Sequence, residues 1–200
     1  MKGILMLYYN TKQLSSSYEF GKQLLEMIST EKRNNQPLVF LCIGSDRATG
    51  DSLGPIIGHK LAQKHFSSIY IYGTLEEPVH AKNLEKVIDT IYDTFSNPYI
   101  VAIDACLGKA SHIGYFTLDQ GALKPGAGVG KNLPHIGNLY ITGIVNLSGF
   151  LEHSLLQTTR LYTVMSLADH ICAGIFYCLT RLDKKLYQKN KGQVSNRLNL

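Results

Sequence analysis

The 200-residue chain has no tryptophan, and its four cysteines form no C-x-x-C pair. Cys42, Cys106, Cys172 and Cys178 each sit in apolar company, as in FLCIG and IDACLG. That spacing argues against a cysteine metal cluster and predicts buried free thiols in a reducing compartment. No run approaches the ~20 apolar residues that span a bilayer. The opening MKGILMLYYN has one lysine, a short apolar stretch and no small-residue cleavage site, so no signal peptide is expected. No internal repeat or low-complexity segment is visible. These absences predict a cytoplasmic protein with no membrane partner.

An excess of acid is also missing. Of 20 Lys/Arg and 15 Asp/Glu, six bases and one acid fall in 181–200, which leaves the body balanced. The positive excess therefore belongs to the C-terminal end. It reads as a solvated helix end and a flexible tail, because no aromatic interleaving or nucleic-acid motif accompanies it. No direct nucleic-acid partner is expected. The length suits one domain. Its expected parts are an N-terminal helical extension over 1–36, a core over 38–185 and a basic tail over 186–200.

Apolar periodicity alternates between helix and strand. Helical spacing marks 15–32, 52–66, 80–95, the stretch SGFLEHSLLQ and 161–185. Strand patterns mark 38–44, 68–73, 98–106, 113–121 and 139–145, and the runs LVFLCIG and PYIVAIDAC read as buried parallel strands. The alternation predicts a three-layer α/β/α sandwich around a mostly parallel, twisted sheet. The long apolar helix at 161–180 serves as core or as the face of a homodimer.

Sites in such sheets lie beyond the carboxyl ends of strands. Three segments are placed there: 44–52, 104–112 and 123–138. Asp51 and Asp104 fall on the first two. Facing carboxylates do not both ionise easily, so one keeps a proton. Such a pair can deprotonate a water and protonate an amide leaving group. Asp51 also precedes a helix, where an aspartate cap contributes about 1 kcal/mol. Ser52 beside it could cap equally well. Asp104 directly follows YIVAI, and an acid there is expensive to bury unless it is paired or faces a cleft.

Asp46 shapes the first loop, meets substrate, or is a surface acid neutralised by Arg47. In the third segment PGAGVGK resembles a phosphate loop but fails G-x-x-x-x-G-K-[ST], which needs Gly at Pro125 and Ser or Thr at Asn132. Amides of Gly126, Gly128 and Gly130 could form an anion nest or an oxyanion site, or simply a tight loop. His135 follows in the same region. Cys106 reads as a buried small hydrophobe rather than a nucleophile. No cofactor is expected. A divalent metal on Asp51, Asp104 and His135 stays open as an alternative.

Three motifs then coincide in order. GSDRATGDSLGP resembles the first signature of the bacterial germination protease, with its Asp in D-A-L-G-P. VAIDACLGK resembles the second, I-D-A-L-A. TLDQGALKPGAGVGK resembles the third, D-T-G-I-x-P-G-S-G-V-G, and ITGIVN stands where that family has an apolar I-G-V-P strand. The match runs from about Leu38 to Phe150. In size and wording the chain is most similar to the YyaC sporulation family, a shorter relative, within the wider hydrogenase-maturation-protease fold. The resemblance implies catalytic roles for Asp51 and Asp104. It implies a protein substrate such as small, acid-soluble spore proteins. From the hydrogenase relatives it implies a metal set of Asp51, Asp104 and His135. Gly50 departs from the protease, which has proline there. The chain is also much shorter than that protease. A non-catalytic sporulation factor with the same fold remains the alternative.

Overall fold

The runs Leu38–Cys42 and Tyr99–Gly108 lie side by side as parallel strands inside a six-stranded sheet. The computed structural model describes residues 6–64, 66, 69–125, 134–149 and 151–197, with side chains as far as Asp183. In chain order the elements are β1 (Leu7–Asn10), α1 (Ser16–Glu31), β2 (Leu38–Cys42), α2 (Leu53–Ala62) and β3 (Ile69–Tyr72). There follow α3 (Leu84–Thr94), β4 (Tyr99–Gly108), β5 (Tyr115–Gln120), β6 (Leu139–Leu147), α4 (Glu152–Gln157) and α5 (Leu161–Arg197). The sheet order is β1-β5-β6-β4-β2-β3. β3, β2, β4 and β6 run parallel, β5 joins β6 antiparallel, and β1 closes that edge antiparallel to β5, so that β5 alone opposes the rest.

Alternation along the central strands sends side chains to two faces. Phe40, Cys42, Val101 and Ile103 meet α1, α2 and α5 on one face. Val39, Leu41, Ile100 and Ala102 meet Leu84 and Ile91 of α3 on the other. The expected three layers are therefore present. On the first face α5 buries Val164, Leu167, Ala168, Ile171, Ile175, Cys178 and Leu179, a stripe at the helical period. Helix α1 crosses α5 where Gly21 meets Gly174, and a side chain at either glycine would strike the other helix. Phe20 enters there and packs its ring on Tyr9 and Phe116 at 5.5 and 5.1 Å.

Three expectations change. Within the expected N-terminal extension, residues 6–36 join the core, because they supply edge strand β1 and a helix whose Phe20 and Leu24 are fully buried. Periodicity does not mark the strand LYYN, since four residues pair only by virtue of β5. Of the expected basic tail, residues 186–197 continue α5 in their backbone. Moreover, Leu161–Asp183 is long and apolar enough to cross a membrane by length and composition, contrary to the reading of the sequence. Half of that window is buried, so packing on α1 and α2 accounts for its apolarity.

Candidate active site

The chain leaves β2, forms α2 on one face and β3 at the edge, then crosses by α3 on the opposite face to β4. The connections diverge between β2 and β4, which makes the carboxyl ends of these strands the switch point of the sheet. Asp51 and Asp104 arrive from either side of it.

The first loop is drawn tight by glycines. Gly44 has φ +141°, and a side chain there would run into the Asp51 carbonyl. The Ser45 amide donates to that carbonyl at 3.0 Å. Gly54 lets the first turn of α2 press onto the Ile43 carbonyl. A side chain at Gly50 would meet Thr159 Oγ1 at 2.7 Å and Leu156 Cδ2 at 2.9 Å. Packing against the α4–α5 connection thus accounts for glycine at this position.

Neither Asp51 nor Ser52 caps α2 with its side chain. Ser52 Oγ instead donates to the Thr49 carbonyl at 2.6 Å. Asp51 is half-buried and lines a cleft of about 1120 Å³. Burial raises its pKa above the ordinary value of 3.8; the Ser45 amide and the fields of His80 and His153 act in the opposite direction.

Asp104 lines the same cleft and is only 8% exposed. Its Oδ1 accepts the Ala105 amide at 2.8 Å. Thr142 pairs with it in register on β6, and Thr142 Oγ1 shares a 2.7 Å hydrogen bond with Thr117 Oγ1. Two residues on, burial pushes the Cys106 thiol up to about 11, with the Asp104 charge adding to the rise and a Thr142 hydrogen bond opposing it. It is therefore a protonated thiol at neutral pH, but it is half-buried in the cleft lining, whereas Cys42, Cys172 and Cys178 are buried as expected.

The cleft also holds residues that the sequence did not single out. His80 follows β3, at the same carboxyl edge; its Nδ1 accepts the Lys82 amide at 3.3 Å, which leaves the proton of a neutral ring on Nε2. His153 stands on α4, its Nε2 3.3 Å from Gln157 Nε2. Arg47, Lys82 and Lys124 add positive charge to the lining. His80 could have been found had the helix start been placed at Leu84 instead of 80, because it then falls on a strand-end loop.

Other sequence candidates lie elsewhere. Asp46 is exposed and lines a smaller depression with Thr49 and His59. His135 is exposed beside Ile136 and is not among the cleft residues. Gly126, Gly128 and Gly130 lie outside the described residues. The ends of their loop meet where Leu123 and Ile136 exchange backbone hydrogen bonds of 2.8 and 3.0 Å, and Leu123, Lys124 and Pro125 line the cleft. Asp51, Asp104 and His135 do not converge as a metal donor set. No group of three or more His, Cys, Asp or Glu suited to a metal occurs among the described residues.

The family "Protein of unknown function (DUF1256)" matches residues 6–174. The chain belongs to that family. It is 47% identical to "Uncharacterized protein YyaC" of Bacillus subtilis (strain 168) over 157 residues, covering 78% of this chain and 77% of the relative. Among solved structures, it is similar to a [NiFe] hydrogenase maturation protease HycI from Thermococcus kodakarensis KOD1. That likeness has a TM-score of 0.49 at 15% identity, over 76% of this chain and 98% of the other.

Proposed function

We propose that the cleft hydrolyses peptide bonds with Asp51 and Asp104, as an aspartate-dependent endopeptidase of the germination-protease-like class. The observation that carries this reading is that two carboxylates, 53 positions apart in the chain, line one cleft at the switch point of the sheet. Burial keeps Asp51 protonated to higher pH than an ordinary aspartate, which suits a general acid. Asp104, anchored at the end of the buried part of β4, is the general base. Water gives a proton to Asp104 as its oxygen attacks the scissile carbonyl carbon. Asp51 gives its proton to the amide nitrogen as the C–N bond breaks. Proton transfer from Asp104 back to Asp51 through solvent restores the pair.

The order of the three motifs and the relation to YyaC support a setting in the cytosol of a sporulating cell, with small, acid-soluble spore proteins as substrates. Purified protein is incubated with such substrates alongside Asp51→Asn and Asp104→Asn. Cleavage by the native chain and a loss of about 100-fold or more in each variant are expected. No cleavage by any of the three, with all equally stable, sinks the reading and leaves a binding factor on the same fold.

A further inference from the structure

β4 outruns β2 at the carboxyl end of the sheet. β2 ends at Cys42, opposite Ile103. The next bond across that edge runs from the Ile43 amide to the Ile103 carbonyl at 2.7 Å. The chain then turns away, and the Gly44 amide bonds the Val79 carbonyl at 2.7 Å instead. β4 continues to Gly108, paired on its other side with β6 as far as Leu147.

The irregularity in that ladder belongs to β6. Consecutive Cys106 and Leu107 pair with Ile144 and Asn146, so Val145 is the extra residue and the alternation of β4 is unbroken. The Ile103 carbonyl points towards β2, so the backbone groups of Ala105 and Leu107 point the same way. Among the described residues, no backbone group takes the place of β2 opposite them. The Ala105 amide is met by the Asp104 carboxylate. Both residues line the cleft. An open strand edge inside a cleft is a template for one more strand.

Charge selects the occupant. Arg47, Lys82 and Lys124 come from three separate segments, are exposed, and line the same cleft. None of them makes an ion pair among the described residues. They complement a ligand carrying carboxylates.

We propose that an extended acidic peptide binds as an added strand along the Ala105–Leu107 edge of β4, with its carboxylates meeting Arg47, Lys82 and Lys124. This rests on the peptidase reading for its choice of a peptide. It adds a link to the chemistry: a peptide carbonyl that takes the Ala105 amide releases Asp104 Oδ1 for water.

The test reads binding rather than cleavage. Fluorescein-labelled ten-residue Glu/Ala and Lys/Ala peptides are titrated against full-length Asp51→Asn, which holds them uncleaved. The Glu peptide is expected to bind about tenfold or more tightly than the Lys peptide, with the preference lost in Arg47→Glu/Lys82→Glu. N-methylation of alternate peptide amides is expected to abolish binding in one phase and spare it in the other, since only every second residue of an added strand faces β4. In the sparing phase, the Ala105 and Leu107 amide resonances shift on binding. Equal binding of both phases, no preference for the acidic peptide, tighter binding of an oligothymidylate, or no saturable binding overturns the proposal. Phase-dependent binding without cleavage by the native chain removes the peptidase reading alone. Cleavage without phase dependence removes the docking alone.

Discussion

The two faces of the sheet are unequal. On one, three helices enclose a continuous apolar cluster that includes Phe20, Phe40, Phe116, Leu167 and Ile171. On the other, α3 covers a smaller cluster, and the strand positions that face it continue from Ala102 to Asp104. The first face holds the molecule together; the second gives up apolar cover at its carboxyl end so that a carboxylate can meet solvent. On the proposed function, stability and chemistry are thereby separated across one layer of strands, and substitutions on the two faces should fail in different ways.

The largest effect is expected on the thick face. Phe20→Ala removes a fully buried ring from its contacts with Tyr9 and Phe116. It should cost about 3–5 kcal/mol, a large part of the stability of a domain this size. Denaturant unfolding measures the loss. The folded fraction should still cleave at the native rate, and a change in kcat per folded molecule would break the separation of the faces.

Much of this plan is legible in the chain because its physical causes are local. Continuous apolar runs ending in glycine mark strands buried on both faces, and the residues that follow them must then sit on the functional edge. That reasoning alone puts Asp51 and Asp104 at the edge they occupy. What stays hidden depends on tertiary contact. Strand β1 exists only through its ladder with β5. His153 reaches the cleft because α4 folds back onto Gly50, a contact that no local pattern encodes. The capping question for Asp51 is also tertiary. Ser52 does not replace it as a cap; the turn has no side-chain cap at all, and its shape is set by Gly44, Gly50 and Gly54 against distant backbone and side chains.

A smaller effect separates the two carboxylates from the apolar scaffold by pH. Burial raises the Asp51 pKa, so the folded state favours the protonated acid. Its contribution to stability is present below the unfolded value near 3.8 and is lost as pH rises through the folded value. Asp51→Asn keeps the neutral shape and removes that loss. The variant should be at least as stable as the native protein at pH 7, with the difference shrinking towards pH 4, as thermal melts across pH would show. Cleavage by the native chain should decline as pH rises through the same folded value. A variant that is less stable at pH 7 would mean that the carboxylate, not its neutral form, holds the loop.

The smallest effect is expected at Cys106, although it lines the cleft two residues from Asp104. Nucleophilic cysteines work as thiolates, stabilised by a neighbouring cation or a helix N-terminus. Here burial dominates and the Asp104 charge acts in the same direction, holding the thiol up at about 11. At neutral pH the sulfur is a compact neutral group with Thr142 as its hydrogen-bond partner. Cys106→Ser keeps that size and offers a hydroxyl in its place, so cleavage should stay within about twofold of native. Iodoacetamide should modify the folded protein more slowly at Cys106 than an unfolded control. Loss of activity in Cys106→Ser that tracks rapid alkylation would move the nucleophile from water to sulfur, and the paired aspartates would then serve to orient and not to hydrolyse.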